Sequence, residues 1–454
     1  MAKENTTGSF VAAIALGSSK VTGIVGRKEQ DGTIRVLSHV AHVSTDFISK
    51  GRVFNVEKAT ACFKTIREQL EEQVGRSINP FYVAIDCIGT RSVVNPIEKI
   101  FNERITINQE MLNSLALTNS EQKPSERIYL EAIPLEYKLG SIVTTEPLGV
   151  MTDSIKTQYL NIVTQGAAVE MIENCFRKAG INIARTKLAA TQLGSVVTTE
   201  QERSSGVVVV DMGSETTSIA VYRNKLLRHL AVIPLGGANI TRDIATVLNC
   251  DENEADQLKR TYGFPSETDS EAGESEIIKL RDGDRTVRQS EVADIIAART
   301  EEIVQNIKHQ IDLSGYNRET LVNGLFIIGG AAQLLNLSAA FDKHFAEWNI
   351  RFLKTPSRLS VSADNRNFND AGIFNVGLAL LENGEDNCNA GERVVPGDLF
   401  EGVESAPEPE LQPEPQPEPQ PEEPKEEKPK GPSKTSSFFG NMWKKVNKLL
   451  SEED

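Results

Sequence analysis

The sequence contains little cysteine or tryptophan and no long apolar run. Its five cysteines lie far apart, without a CxxC pair or a histidine at metal-ligand spacing, which disfavours a disulfide framework and a structural zinc site. No uninterrupted apolar stretch approaches the ~20 residues that a membrane-spanning helix needs. The first residues, MAKENTTGS, lack the apolar core of a signal peptide. We therefore expect reduced thiols in a cytoplasmic protein, and neither export nor membrane spanning.

Basic residues are also in the minority. The 454 residues include 49 lysines and arginines against 64 aspartates and glutamates, which gives a formal net charge of −15. Such an acidic chain disfavours broad contact with nucleic acid. At ~150 residues per domain, the length predicts about three structural units, which is enough to bury hydrophobic cores.

Proline is scarce in most of the chain but concentrated near its end. Ten of the nineteen prolines lie between Pro407 and Pro432, in a segment made almost entirely of Pro, Glu, Gln and Lys. That composition cannot bury a core and predicts a disordered linker over residues 396–433 with polyproline II character. At ~3.1 Å per residue, the 26 residues from Pro407 to Pro432 reach roughly 80 Å. The folded body is expected to end near residue 395.

Residues 434–454 carry a helical pattern of apolar residues. Seven apolar side chains share one face, three lysines lie on the other, and residues 438–450 contain no acid. This predicts an amphipathic helix in an anionic membrane interface; docking onto a partner or onto the chain's own body is the alternative. One such helix binds reversibly, so firm attachment requires several copies and hence self-association. The predicted membrane-binding residues are Phe438, Phe439, Met442, Trp443, Lys444, Lys445, Val446, Lys448, Leu449 and Leu450.

Two segments 196 positions apart resemble each other. Residues 12–27 read AAIALGSSKVTGIVGR, and residues 208–223 read VVVDMGSETTSIAVYR. Each predicts two strands joined by a turn of glycine and hydroxyl residues, with Gly17 and Gly213 at equivalent positions. Small residues in such turns expose backbone N–H groups that hold phosphate oxygens. The pair predicts duplicated domains that hold a phosphate from both sides.

Three further segments suit such a site. They are LVNGLFIIGGAAQLLNL (321–337), IPLGGANITRDIA (233–245) and ENEADQLKRTYG (252–263). The first two place a Gly-Gly pair before a predicted helix, and the third is itself a predicted helix. Glycine permits close approach of a ligand, and a helix N-terminus favours negative charge. For any single Gly-Gly pair, a tight strand-to-helix turn is the alternative.

In these motifs the sequence resembles the FtsA family of bacterial cell division proteins, within the actin/Hsp70/sugar-kinase superfamily. The resemblance covers about residues 9–385 and the terminal helix. The motifs RHLAVIPLGG and EADQLKRTYG are specific to this family within the superfamily, and a Pro-rich linker before an amphipathic helix is its arrangement too. The other stretches are IALGSSKVTGIVG, SKGRVFNVEKA, AIPLEYKLG, PLGVM, VVDMGSETTSIAVY, IIGGAAQLLNL and NDAGIFNVGLAL.

The resemblance implies an α/β, actin-like two-lobed ATPase fold with a small inserted 1C (SHS2-like) domain. Within the second lobe, we expect a long helix with Ser290 as its N-cap, ending before Gly315. The implied boundaries are 9–85 for the first part of lobe 1, 86–165 for the 1C insertion, 166–205 for the completion of lobe 1, 206–385 for lobe 2 with an outer subdomain at about 239–310, 396–433 for the linker and 434–454 for the membrane-targeting helix.

The resemblance also implies which residues hold ATP and Mg²⁺, although it assigns no catalytic residue. Asp211 would act on the Mg²⁺ through water. For Glu254 and Lys259, a solvated helix face is the alternative. The implied phosphate-binding residues are Gly17, Ser18, Ser19, Lys20, Asp211, Gly213, Ser214, Glu215, Thr216 and Thr217, and those implied around the adenosine are Gly236, Gly237, Glu254, Lys259, Gly329, Gly330 and Ala331.

The chain departs from the superfamily pattern in both turns. Ala15 stands where superfamily members usually place an acid that holds water on the magnesium. Ser214 and Glu215 replace the usual glycines of the second turn. A carboxylate at Glu215 repels phosphates unless a cation intervenes. We therefore expect ATP binding with weak or absent hydrolysis.

The function implied by the resemblance is linkage. The protein would attach peripherally to the cytoplasmic face of the plasma membrane at the division site, anchor FtsZ filaments there, self-associate in an ATP-dependent, actin-like manner, and help recruit later division proteins, without binding nucleic acid. The alternatives are another actin-like membrane adaptor, of the pilus-assembly type, and an ATP-dependent phosphotransferase of the sugar-kinase type. A chaperone ATPase is disfavoured, because only linker and helix follow the second lobe.

Overall fold

The computed structural model describes residues 10–392, except residues 125, 266–275, 282, 284 and 364–367. The predicted linker and terminal helix lie outside the described residues. Within the described ranges, every helix is too short or too polar to span a lipid bilayer. The helices are α1 (Val56–Val74), α2 (Gln109–Glu121), α3 (Gly166–Lys178), α4 (Ala189–Val197), α5 (Glu200–Ser205), α6 (Gly237–Leu248), α7 (Glu252–Tyr262), α8 (Gln289–Leu313), α9 (Leu337–His344) and α10 (Asn375–Asn383).

The strands belong to two large sheets and three small two-stranded ones. They are β1 (Phe10–Leu16), β2 (Lys20–Lys28), β3 (Ile34–Val43), β4 (Ile48–Ser49), β5 (Arg52–Val53), β6 (Arg76–Ile78), β7 (Phe81–Ile85), β8 (Arg91–Thr106), β9 (Arg127–Leu139), β10 (Ile142–Thr144), β11 (Met151–Gln165), β12 (Ile183–Leu188), β13 (Val207–Met212), β14 (Thr217–Arg223), β15 (Leu226–Ile233), β16 (Ile277–Lys279), β17 (Thr286–Arg288), β18 (Leu325–Ile328), β19 (Ile350–Phe352), β20 (Val361–Ser362) and β21 (Asn389–Glu392).

The first large sheet has the strand order β12-β7-β1-β2-β3-β20. Strands β1 and β2 form the first predicted hairpin, and β7 lies parallel to β1. Both faces of β1 are covered: Ala12 and Ile14 pack into one core, whereas Val11 and Ala13 pack into another that includes residues of α10. This double burial explains why β1 is apolar at every position instead of alternating.

Helix α1 covers one face of the first sheet. The Asn55 side chain caps it by accepting a hydrogen bond from the Lys58 amide (3.1 Å), and the helix ends at Gly75, whose φ of 71° favours glycine. Phe63 of α1 stacks on Phe176 of α3 with ring centroids 4.3 Å apart, and neither side chain is exposed. A buried ring of this kind contributes about 3 kcal/mol or more, so the pair fixes both helices against the sheet.

The second large sheet repeats the topology of the first. Its strands β19-β18-β13-β14-β15 follow the same order, in chain sequence and in space, as β12-β7-β1-β2-β3. In each set the first hairpin strand runs parallel to the neighbour outside the hairpin, β1 to β7 and β13 to β18. The residues of β13 also alternate between two cores, with Val207 and Val209 in one and Val208 and Val210 in the other. The predicted duplication is therefore confirmed at the level of whole sheets, and with it the α/β, actin-like class.

The first repeat carries an insertion between β7 and β12 that the second repeat lacks at the equivalent place. Strands β8–β11 and α2 form this insertion, with a core of their own around Ile97, Leu115 and Tyr137. Its strands extend the second large sheet in the order β10-β9-β11-β8-β15, and β8 joins β15 through the pairing of Arg91 with Ala231. These elements lie within the expected 1C insertion, whose boundaries stay a prediction. Strand β20 and helix α10, from the segment expected in lobe 2, join the first sheet.

Helix starts differ most from the sequence prediction. The long helix α8 ends before Gly315 as expected, but the prediction of Ser290 as its N-cap is wrong: the N-cap is Arg288. The helix starts two residues earlier than predicted, and its first amide, that of Gln289, donates to the Glu276 carbonyl (2.9 Å), which satisfies one of the amides without an intrahelical partner. The helix expected directly after Gly330 is a single 3₁₀ turn, Ala331–Gln333.

Candidate functional site

The two predicted turns have the same backbone geometry. The Gly17 amide donates to the Lys20 carbonyl (3.0 Å), and the Gly213 amide donates to the Thr216 carbonyl (2.9 Å). A Cβ at either glycine would lie 2.7 or 2.9 Å from the carbonyl oxygen that its own amide contacts, so only glycine fits. The Lys20 side chain is exposed. The sequence similarity between the two hairpins therefore extends to an equivalent bond in each turn.

The first turn is held in place by the chain beneath it. Ser18 is buried, and its Oγ accepts a hydrogen bond from the Gly51 amide (3.1 Å). Ser44 donates from Oγ to the Gly17 carbonyl (2.6 Å) and from its amide to the Ser19 carbonyl (3.1 Å). The Gly17 and Ser19 carbonyls therefore both accept hydrogen bonds from Ser44, which fixes the shape of the turn.

The second turn is bound to the start of α6. The Gly237 amide donates to the Gly213 carbonyl (3.1 Å), and the Ala238 amide donates to the Ser214 carbonyl (2.7 Å). A Cβ at Gly236 would lie 2.5 Å from the Ser214 carbonyl oxygen, so this approach requires glycine. Two segments that the sequence placed 23 positions apart, at Gly213 and Gly236, are thus in direct contact.

Glu215 is the residue whose surroundings differ most from expectation. Its carboxylate is 12% exposed and pairs with the Arg242 guanidinium on α6. Its Oε2 also accepts hydrogen bonds from the Ser49 hydroxyl (2.9 Å) and the Lys50 amide (2.7 Å) of the first lobe. A carboxylate at Glu215 was expected to repel phosphates unless a cation intervened, and Arg242 is a cation beside it. Sequence reasoning missed this arginine, although it lies in the second turn of the helix that binds this loop.

Two carboxylates approach each other beside the second turn. Ser218, which is paired with Asp211 across the hairpin, donates from Oγ to Asp86 Oδ2 (2.7 Å). Burial raises the pKa of Asp211 to about 7, and the nearby charge of Asp86 adds to this. Burial also raises the pKa of Asp86 to about 6, against the effect of the Ser218 hydrogen bond. A Cβ at Gly329 would lie 2.4 Å from Asp211 Oδ1, so the third glycine segment borders the same carboxylate.

The remaining predicted residues border the same turns. Ala331 approaches Gly237, where an added Cβ would lie 3.2 Å from the Ala331 Cβ. A Cβ at Gly330 would meet no atom of the described residues within 4 Å, so Gly330 faces open space. Thr217 is buried and donates from Oγ1 to the Leu235 carbonyl (2.8 Å).

Two of the residues expected around an adenosine, Lys259 and Glu254, are placed differently from each other. Lys259 Nζ reaches the start of α6, where it contacts the Gly237 carbonyl (3.2 Å) and Thr241 Oγ1 (2.8 Å). Glu254 instead accepts a hydrogen bond from the Arg281 amide (2.6 Å). Both side chains are largely buried, so neither belongs to a solvated helix face. The structure therefore brings Lys259 to the Gly236-Gly237 turn, whereas Glu254 supports the loop at Arg281.

The arrangement suits an anion accompanied by a hydrated cation. Two glycine turns present small residues, Gly330 leaves space beside them, and Asp211 and Asp86 supply carboxylate oxygens. Among the described residues, no group of three or more His, Cys, Asp or Glu side chains is arranged to hold a metal directly. Magnesium usually keeps several waters and takes one or two carboxylates, which fits the pair present here. The site roles of all these residues stay predictions.

The chain is similar in sequence to known cell division proteins. A family model described as Cell division protein FtsA matches residues 208–372. The cell division protein FtsA of Neisseria meningitidis is 27% identical over 342 residues, which cover 74% of this chain and 82% of that protein. FtsA of Porphyromonas gingivalis is 28% identical over 391 residues, covering 84% and 79%, and FtsA of Bacillus subtilis is 26% identical over 335 residues, covering 71% and 73%.

A solved structure shares the fold. It is described as the PilM-PilN type IV pilus biogenesis complex, and it matches with a TM-score of 0.56 and 17% sequence identity. The match covers 82% of this chain and 97% of that one. At this identity the likeness shows the fold alone.

Proposed function

This chain is similar in sequence to FtsA cell division proteins over more than two thirds of its length, and from this premise we propose that it is a nucleotide-binding adaptor that anchors FtsZ filaments to the membrane. In this proposal the actin-like body binds ATP and self-associates. The terminal helix binds anionic lipid on the cytoplasmic face of the plasma membrane. The protein would further help to recruit later division proteins.

The pair of equivalent glycine turns is the observation that supports nucleotide binding most directly. Both turns have the same amide-to-carbonyl bond, and glycines from two other segments approach them closely. In this proposal, the turns at Gly17 and Gly213 lie against the phosphates of ATP, and Lys259 lies on the adenosine side. A bound Mg²⁺ would offset phosphate charge, with Asp211 holding its water.

Slow or absent hydrolysis forms part of the proposal. Ala15 provides no carboxylate at the end of β1, and the Glu215 carboxylate is occupied by Arg242, Ser49 and Lys50. Glu215 is therefore engaged in joining the two lobes and is not free to act as a base. The nucleotide would serve as a ligand that holds the two lobes together and supports self-association.

The membrane part of the proposal is supported by residues 438–450 of the sequence. Their apolar face and net charge of +3 suit an anionic lipid surface. Because one helix binds weakly, attachment would strengthen when several copies assemble along a filament. Self-association and membrane binding are therefore coupled in this proposal.

Co-sedimentation with anionic liposomes tests the adaptor function. Full-length protein should carry purified FtsZ into the liposome pellet, whereas a chain that ends at Pro432 should leave both proteins in the supernatant. Trp443→Glu should abolish pelleting, and Asn441→Glu, which adds the same charge on the opposite face of the predicted helix, should weaken it only slightly. Equal pelleting of the full and truncated chains, or failure of FtsZ to follow the full chain, would contradict the proposal.

A further inference from the structure

The end of strand β7 lies beside the end of β1, where the sequence lacks an acid. The two strands run parallel, with Ala15 paired to Ala84. Asp86 is the first residue after β7, two positions beyond Ala84. Parallel strands end at the same edge of a sheet, so Asp86 brings a carboxylate to the edge at which Ala15 provides none.

The Asp86 side chain points toward the second lobe. Its Oδ2 accepts a hydrogen bond from Ser218 Oγ (2.7 Å), and Ser218 is paired directly with Asp211. Side chains of directly paired residues in antiparallel strands lie on the same face, with Cβ atoms about 5 Å apart. Ser218 therefore lies beside Asp211, and Asp86 approaches both from the opposite lobe.

One oxygen of this carboxylate is left without a partner. Asp86 is 9% exposed, and its Oδ1 makes no hydrogen bond within the described part of the chain. Burial raises the pKa of Asp86, and the nearby Ala190 and Ala189 backbone only partly offsets this. A buried carboxylate with a free oxygen, placed beside a second carboxylate, is costly for a fold unless something positive binds there.

We propose that Asp86 supplies the carboxylate that Ala15 lacks, and that Asp86 and Asp211 together hold the hydrated divalent cation of a bound nucleoside triphosphate. The inference rests on the proposed nucleotide binding and adds a residue for the cation. Hard divalent cations prefer carboxylate oxygens, and Mg²⁺ keeps waters that such oxygens orient. Asp86 then acts from the first lobe and Asp211 from the second, so the cation links the two lobes.

Calorimetric titration of the full chain with ATP, in Mg²⁺ or in EDTA, tests this inference. In the wild type, Mg²⁺ should raise the affinity for ATP by about tenfold or more. Asp86→Asn keeps an oxygen for the Ser218 hydrogen bond but removes the charge, so it should lose most of this gain. Its affinity in EDTA should stay unchanged or rise, because one negative charge near the phosphates has gone. Asp153→Asn, an exposed carboxylate on β11, should behave like the wild type.

Moving the acid provides a second test. The double variant Ala15→Asp, Asp86→Asn should recover a large part of the Mg²⁺ dependence, because the carboxylate returns to the same edge of the sheet. If Asp86→Asn does not fold, as judged by circular dichroism, Asp86→Ser carries the same expectation, since its hydroxyl also accepts a hydrogen bond from Ser218.

The outcomes separate the two claims. A wild-type chain that binds no ATP in either buffer would overturn the proposed nucleotide binding. Wild-type binding that depends on Mg²⁺, together with an equal Mg²⁺ dependence in Asp86→Asn, would show that Asp86 only supports the fold and would overturn this inference. Loss of Mg²⁺ dependence in Asp86→Asn with its recovery in the double variant would support it.

Discussion

Individual charges in this protein act across the boundary between the two lobes. Glu215 lies in the second turn, yet its carboxylate accepts hydrogen bonds from Ser49 and Lys50 of the first lobe. Arg242 lies on α6 in the second lobe, as Glu215 does, and its guanidinium neutralises the Glu215 carboxylate. A residue that looked unfavourable for phosphate binding in the sequence is therefore part of the contact between lobes.

We predict that Arg242→Ala destabilises the protein by about 1–2 kcal/mol, because it leaves the largely buried Glu215 carboxylate without its cation. Arg260→Ala is the matched control: Arg260 is 75% exposed and pairs with Asp256, so its loss should cost less than about 0.5 kcal/mol. Urea unfolding measures both. Combining Arg242→Ala with Glu215→Gln should recover part of the loss; equal effects of the two arginine changes would contradict this account.

At the scale of elements, one ion pair joins the inserted strands to the second sheet. Glu136 of β9 pairs with Arg228 of β15, whose side chain is 8% exposed, through two guanidinium nitrogens. The Arg228 hydrogen bond holds the pKa of Glu136 at about 2, against the opposing effect of burial. In the described residues one residue pairing, Arg91 with Ala231, joins the inserted strands to β15, so this ion pair adds a polar link between the two elements.

We predict that Glu136→Gln destabilises the protein by about 2–3 kcal/mol at neutral pH, because it leaves a buried arginine unpaired. The pKa of Glu136 is lower in the folded state than its ordinary value of 4.5, so the stabilisation is complete above pH 4.5 and falls as pH drops toward 2. Urea unfolding at several pH values should show wild type and variant converging below pH 4.5.

The control for this prediction is Glu98→Gln. Glu98 pairs with Lys156, and both side chains are about half exposed, so the change should cost less than about 1 kcal/mol. A loss for Glu136→Gln that matches the control, or that does not vary with pH, would show that the pair does not link the elements as described.

At the scale of the whole molecule, the sequence predicted the duplication because local patterns repeat. The hairpins around Gly17 and Gly213, the helices after Gly236 and Asp251, and the α/β class are all confirmed. Contacts between distant segments left no such pattern. Glu215 pairs with Arg242, and Asp86 approaches Ser218. Both contacts depend on how the two sheets face each other, and the periodicity of the sequence does not predict that arrangement.

The Ser290 prediction failed for a related reason. A side-chain cap was expected from the residue type, but a backbone carbonyl at Glu276 satisfies the first helical amide instead. Local sequence signals therefore located the glycine turns correctly, whereas long-range hydrogen bonds decided which polar residues surround them.

The most direct test of the account is the ATP affinity of Gly330 variants. Gly330 has an ordinary helical backbone (φ −65°, ψ −39°), and a Cβ there meets no described atom within 4 Å. Substitution should therefore leave the unfolding temperature of the nucleotide-free protein unchanged. We predict that Gly330→Leu lowers ATP affinity by about tenfold or more by calorimetry, and Gly330→Ala by less. A Gly330→Leu protein that folds normally and binds ATP as tightly as the wild type would contradict the assignment of this space to the nucleotide.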